Sequence, residues 1–195
     1  MKKLSILICT LHRRKEYLKR LVEILKPQIT NDIEALASID NGEKSIGDKR
    51  QRLLEDATGE YIAFIDDDDI VSHNYINLVL KAVENKPDVI GIHLIMKQVT
   101  GLETEGIITG DTFHSLKYNT WYDEPIPGNP QCKKYYRNPN HLNPVKKELA
   151  LKAGFPSINM CEDRQYSANL LPYLKTEQYI EDPIYFYLVR AFKEV

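Results

Sequence analysis

Five apolar residues, Tyr61-Ile62-Ala63-Phe64-Ile65, lead directly into four acids, Asp66-Asp67-Asp68-Asp69. Carboxylates a few ångströms apart repel one another, so a cation must offset such a cluster. Oxygen-rich donor sets suit hard divalent ions such as Mg²⁺ or Mn²⁺. The carboxyl end of a strand is also where open α/β sheets bind phosphorylated ligands. An acidic loop that only caps the following helix is the plainer alternative. A second acidic pair, Glu162-Asp163, opens a segment carrying Tyr166, Leu170 and Leu171 at helical spacing. Acids there are commonly partners of the helix dipole. Lys133-Lys134-Tyr135-Tyr136-Arg137 has the chemistry to close over a diphosphate, stack on a sugar or touch a nucleic acid, or to be an ordinary solvated loop.

These groups need a frame. At 195 residues the chain reads as one domain, long enough to bury about 70% of its unfolded surface. Its 43% hydrophobic and 28% charged residues are a globular balance, and a net charge of −2 excludes a general electrostatic trap for nucleic acid or anionic membrane. Cys9, Cys132 and Cys161 are widely spaced and odd in number, which argues against a disulfide framework or structural zinc and for a reducing compartment. The apolar run after Lys2-Lys3 is too short for a signal peptide, and no stretch approaches the roughly 20 apolar residues of a membrane span. A cytoplasmic chain without a transmembrane segment is the expectation.

Leu4–Cys9 reads as a buried strand, and Tyr17, Leu18, Leu21, Val22 and Leu25 as the apolar face of a helix closed by Pro27. Ile33–Ile39 is a second strand ending in the turn Asp40-Asn41-Gly42. Ile46, Leu53, Leu54 and Ala57 share a helix face that stops at Gly59. Tyr61–Ile65 is the third strand, Ser72 a candidate cap for a helix with Tyr75, Ile76, Val79, Leu80 and Val83, and Val89–Ile95 the fourth strand. This alternation predicts a parallel, helix-covered sheet. Gly101, Gly106 and Gly110 suggest a small hairpin, whereas five prolines make 123–144 read as a long loop or lid. Asn143 as cap with Pro144 at the first helical position starts a helix ending at Gly154, and Ile184–Val189 is the last strand.

In this order the elements resemble the GT-A fold of family 2 glycosyltransferases. Gly59 to Asp69 resembles that family's strand leading into its DxD motif, Lys2–Thr10 its first strand, Ile39-Asp40-Asn41-Gly42 the turn after its second, and Glu162-Asp163 its "ED" pair. The likeness covers residues 2–95 well and 141–171 moderately. It implies a Rossmann-like, mostly parallel central sheet flanked by helices, with 1–95 as a nucleotide-sugar-binding half and 96–195 as an acceptor half of one domain. Asp66 and Asp68 then align with the motif's two metal-binding acids. Asp67 is placed with the donor-binding residues, and Asp67 and Asp69 alike stand behind the metal or cap the helix that follows. His141 is a candidate third ligand, as some GT-A enzymes complete the metal shell with a histidine; a lone loop histidine is otherwise structural. His12, His73, His93 and His114 show no zinc-like pairing.

The same resemblance implies that Asp40 accepts the uracil imide N–H, although Asp-Asn-Gly is also simply a turn. Thr10 and Arg13 are placed near the nucleotide. Gly47 and Arg50 resemble a Gly…Arg segment along the phosphates, with a spacing shorter by about a residue or two, and are otherwise ordinary helix residues. Asp163 becomes the general base, with Glu162 positioning the acceptor. The implied activity is metal-dependent, inverting transfer from a UDP-sugar, with Mn²⁺ or Mg²⁺, to an acceptor glycan, protein or nucleobase. A sugar-1-phosphate nucleotidyltransferase would carry glycines after its first strand, where Thr10-Leu11-His12-Arg13-Arg14 has none. A haloacid-dehalogenase-type phosphatase would follow its second acid with Gly-Thr, not Asp69-Ile70.

Overall fold

The computed structural model describes residues 2–190. Strands β1 (Lys2–Leu11), β2 (Ile33–Asp40) and β3 (Gly59–Phe64) lie parallel in the order β2-β1-β3, with Leu7 opposite both Leu36 and Phe64. Alternate β1 and β3 side chains leave on opposite faces, as the strand period requires. Leu4, Ile6, Ile8, Tyr61 and Ala63 join a core built with helices α1 (Lys15–Leu25) and α3 (Tyr75–Val83). Leu7, Cys9, Ile62 and Phe64 join a second core under α2 (Ile46–Asp56), α4 (Lys147–Ala153) and α5 (Glu162–Leu170). This is the expected α/β architecture, a central sheet with parallel strands covered by helices on both faces. No described helix is long and apolar enough to cross a membrane.

The sheet continues through β5 (Val89–Val99), which pairs antiparallel with β6 (Ile107–His114) and parallel with β10 (Glu177–Arg190). The short β4 (Ile70–Val71) pairs with β10. The expected glycine-marked hairpin is therefore β5–β6, with β5 longer than anticipated. The long loop expected over 123–144 is not there. Instead β7 (Tyr122–Ile126) and β8 (Asn129–Arg137) form an antiparallel hairpin added to β6, with β7 at the end of the strand order. Pro125 sits in that edge strand, where a missing N–H leaves no ladder bond broken inside the sheet.

Five smaller expectations are corrected. Asn143 does not cap a helix: its side chain is buried, donating to the Ile90 carbonyl at 2.9 Å and accepting from the Asn140 N–H at 3.0 Å. Val145–Lys146 is strand β9, which joins β3 to β5, and α4 starts only at Lys147. Ser72 Oγ bonds to Asn74 Oδ1 rather than capping α3, and α2 ends at Asp56, so Gly59 opens β3 instead. The last strand begins at Glu177, seven residues earlier than Ile184 because its register with β5 shifts around Pro183 and survives it.

Candidate active site

The Ile65 N–H bonds to the Leu7 carbonyl at 3.1 Å, so the four acids leave the sheet beside the end of β1. The Asp69 N–H closes on the Asp66 carbonyl at 3.1 Å, a tight turn that sends successive side chains in different directions. Asp67 takes the Thr10 hydroxyl and both faces of the Arg14 fork, Nε at 3.0 Å and Nη2 at 2.6 Å. Asp68, one-third exposed, meets Arg14 Nη2 at 2.8 Å and Arg190 Nη1 at 3.5 Å. Asp66 points inward to Arg50 Nη2 at 2.8 Å and His141 Nε2 at 3.4 Å. Asp69 is buried, accepting from Tyr185 Oη and the Leu188 N–H at 2.8 Å each. The charge that had to be offset is thus met by three arginines. Burial opposes ionisation of Asp66, but Arg50 and His141 outweigh it and hold the carboxyl below the usual range. Burial, reinforced by Asp66, pushes Asp69 well above it.

Two clefts meet at this point. The first, 420 Å³, is lined by Thr10, Arg14, Lys49, Asp66, Asp67 and Asp68 among others. The second, 500 Å³, holds His141, Glu162 and Asp163 with Trp121, Tyr135 and Arg137. Arg50 and Asp66 line both and form the wall between them. Arg50 is buried, reaches Glu162 Oε1 with Nη1 at 3.3 Å, and packs its guanidinium 5.8 Å from the Phe64 ring centroid and 6.0 Å from that of Phe155. Cys161, with φ of 63°, makes the left-handed turn that starts α5. Glu162 then enters the wall while Asp163, half-buried, opens onto the second cleft. A step of about 100° per helical residue accounts for the different directions of the two acids.

The remaining candidates fall in different places. Thr10 lines the first cleft but donates its hydroxyl to Asp67. Arg13 is exposed in the 3₁₀ turn His12–Arg14 and does not line the cleft; its neighbour Arg14 does. The Asp40 carboxylate holds its own turn, accepting from the Gly42 and Lys44 N–H groups at 3.2 Å each and from Lys49 Nζ at 2.7 Å. Lys49, which also reaches the Thr10 carbonyl, has no counterpart among the sequence candidates. A lysine on the inner face of an otherwise amphipathic helix was the available signal.

Gly47 packs rather than lining the cleft: its N–H bonds to the Ile158 carbonyl at 3.1 Å, and a Cβ there would stand 1.8 Å from the Pro156 carbonyl oxygen. Gly47→Ala must therefore push the 155–161 loop away from α2. A loss of about 1–3 kcal/mol is expected in urea unfolding, and an unchanged midpoint would show that the loop yields freely.

A divalent ion was expected at Asp66, Asp68 and His141. Asp66 Oδ2 and His141 Nε2, 3.4 Å apart, are an oxygen and an imidazole donor close enough to share one ion. His141 Nδ1 is buried without a hydrogen-bond partner among the described residues. Asp68 is turned to Arg14 instead, and among the described residues no three acidic, imidazole or thiol groups converge on one point. The donor chemistry of Asp66 and His141 fits a hard cation, and Asp68, the third candidate, stands apart from them.

The family model for glycosyl transferase family 2 matches residues 39–140. The chain belongs to that family. Its architecture is GT-A: the crystal structure of S. aureus TarS 1-349 in complex with UDP aligns at TM-score 0.64 and 14% identity, over 96% of this chain and 60% of that one. The TarS 1-349 complex with UDP-GlcNAc aligns at TM-score 0.62 and 14% identity, over 98% and 60%. A longer S. aureus TarS structure gives TM-score 0.62 and 13% identity, over 96% and 37%. This family 2 chain therefore spans between 37% and 60% of the length of these solved structures. No curated protein matches it.

Proposed function

We propose that this family 2 chain transfers a sugar from a uridine-diphosphate donor to an acceptor hydroxyl, with inversion at the anomeric carbon. The observation that carries this reading is the pair of clefts sharing one wall of Arg50 and Asp66, with Asp163 on the far side. The first cleft, built mainly by residues 2–95, takes the nucleotide. Asp40 does not itself line this cleft, but Gly42 and Lys44 of its turn do, and its Oδ2, which accepts from the Lys44 N–H, keeps a lone pair for an imide N–H. Arg14 and Lys49 bring positive charge beside the diphosphate. The UDP and UDP-GlcNAc held by the TarS structures support a uridine donor. The second cleft, built mainly by residues beyond 95, takes the acceptor. Asp163 accepts the acceptor hydroxyl proton as that oxygen attacks the anomeric carbon opposite the departing diphosphate, and Glu162 is held by Arg50 at the base of the same helix. Asp66, Asp68 and His141 would hold Mn²⁺ or Mg²⁺, which when bound neutralises charge on the diphosphate. Asp68, now held by Arg14 and Arg190, would have to be released by them to serve with the other two.

Thermal unfolding with UDP tests the reading. A nucleotide at 100 times its dissociation constant should add about 2.7 kcal/mol of stability, and the shift should require Mn²⁺ or Mg²⁺ and weaken in Asp68→Ala. No stabilisation by UDP, or equal stabilisation by purine diphosphates, would remove the uridine-donor reading; a shift indifferent to EDTA would remove the metal.

A further inference from the structure

Trp121 is the only tryptophan in the chain, and it is 40% exposed in a wall shared by two cavities. One is the second cleft, where Asp163 stands. The other, 360 Å³, lies beyond it against α5 and is lined by Asn119, Thr120, Asn138, Arg164 and Ser167 among others. An exposed indole is usually free to turn; this one is held. Its N–H donates to Oδ1 of Asn138, which is buried and donates in turn to Ser167 Oγ at 2.9 Å. Ser167 belongs to α5, the helix that carries Glu162 and Asp163, and its hydroxyl bonds to the Pro139 carbonyl at 2.6 Å. The Arg137 guanidinium lies 5.2 Å from the indole centroid and fixes the ring further. The ring is therefore fixed in position relative to the candidate base through two hydrogen bonds.

We infer that the second cleft and the cavity beyond Trp121 are consecutive subsites for a glycan acceptor of at least two sugar units. The inference rests on the glycosyltransferase reading. The unit presenting its hydroxyl to Asp163 occupies the cleft, and the next unit crosses the indole. A pyranose has a face of C–H groups that packs on an aromatic ring and a rim of hydroxyls that needs amide, hydroxyl and guanidinium partners. Trp121 supplies the first, and Asn119, Thr120 and Arg164 supply the second. A single nucleobase or amino-acid side chain seated at Asp163 would leave this second compartment without a role, whereas a repeating acceptor fills both.

The lone tryptophan makes the test direct, since all indole emission comes from the proposed platform. With UDP bound, the protein is titrated with N-acetylglucosamine and glucose oligomers of one to four units while Trp121 emission is followed. Oligomers should bind at least about tenfold more tightly than monomers, equivalent to about 1.4 kcal/mol, with a change in emission. In transfer assays with the best oligomer, Trp121→Ala should raise the acceptor KM about tenfold or more with a much smaller change in kcat, and Trp121→Phe should recover most of that loss. Equal affinity for monomers and oligomers, binding without a change in emission, or a response only to nucleosides or peptides would overturn the inference. So would no saccharide binding at all in protein that UDP still stabilises; failure of UDP itself would instead remove the donor-site reading.

Discussion

Asp163→Asn should lower kcat for sugar transfer by about 10²–10⁴, the usual worth of a positioned base, while UDP stabilises the variant as it does the parent. Asparagine has the shape of aspartate and keeps an oxygen to accept the Arg164 N–H, which Asp163 Oδ1 now holds at 2.7 Å. The start of α5 therefore survives the change, and only the capacity to take a proton is lost. Donor binding should be spared because Asp163 lines the second cleft and not the first. Asp68→Ala provides the contrast, since Asp68 lines the first cleft and its loss should weaken the nucleotide. Single-turnover assays combined with UDP titration separate the two effects. Turnover of Asp163→Asn within tenfold of the parent would remove Asp163 as the base. A parallel loss of UDP affinity would reassign it to donor binding.

Sequence patterns were most legible where neighbours along the chain are also neighbours in space. Alternating strands and helices up to residue 95 show in the periodicity because each β1 or β3 side chain belongs to one of two cores. Residues 122–137 were hidden because Pro125, Pro127 and Pro130 outweigh strand signals that an edge hairpin needs only weakly. Asn143 next to Pro144 imitates a helix start, but its side chain is used to tie β5 to the 140s. At the site, the positions of the acids were readable and their partners were not. Arg190 reaches the Asp68 carbonyl across 122 residues and Arg14 reaches Asp67 across 53, distances at which spacing carries no information. The four acids looked in isolation like a charge awaiting a metal, whereas folding brings arginines to them. For Glu162-Asp163, only the likeness to a family motif argues for more than an ordinary pair of helix-dipole partners.

Arg50→Met should cost about 3–5 kcal/mol of stability, as expected when one member of a buried ionic network is removed. Arg50 is 4% exposed and its partners are Asp66 at 2.8 Å and Glu162 at 3.3 Å, so methionine fills the space between Phe64 and Phe155 but leaves the part-buried Asp66 and the buried Glu162 without the cation they share. Lost packing alone would cost less, because the chain volumes are similar. Charge is the decisive term, and two measurements isolate it. Arg50→Met/Glu162→Gln should regain part of the loss, since one uncompensated charge is removed. The pH dependence should also distinguish the proteins when both are kept in EDTA. In the parent, Asp66 is held below the ordinary carboxylate range, so its contribution is present at neutral pH and fades as pH falls below about 4. Without Arg50 the largest charge opposing burial is gone and only His141 and Arg14 remain, so Asp66 moves upward and acid weakens the variant less than the parent. The stability difference should therefore be largest near pH 7 and shrink toward pH 3 in urea unfolding. A difference that stays constant with pH, and is not reduced by Glu162→Gln, would mean that Arg50 supports the wall between the clefts by packing and not by charge.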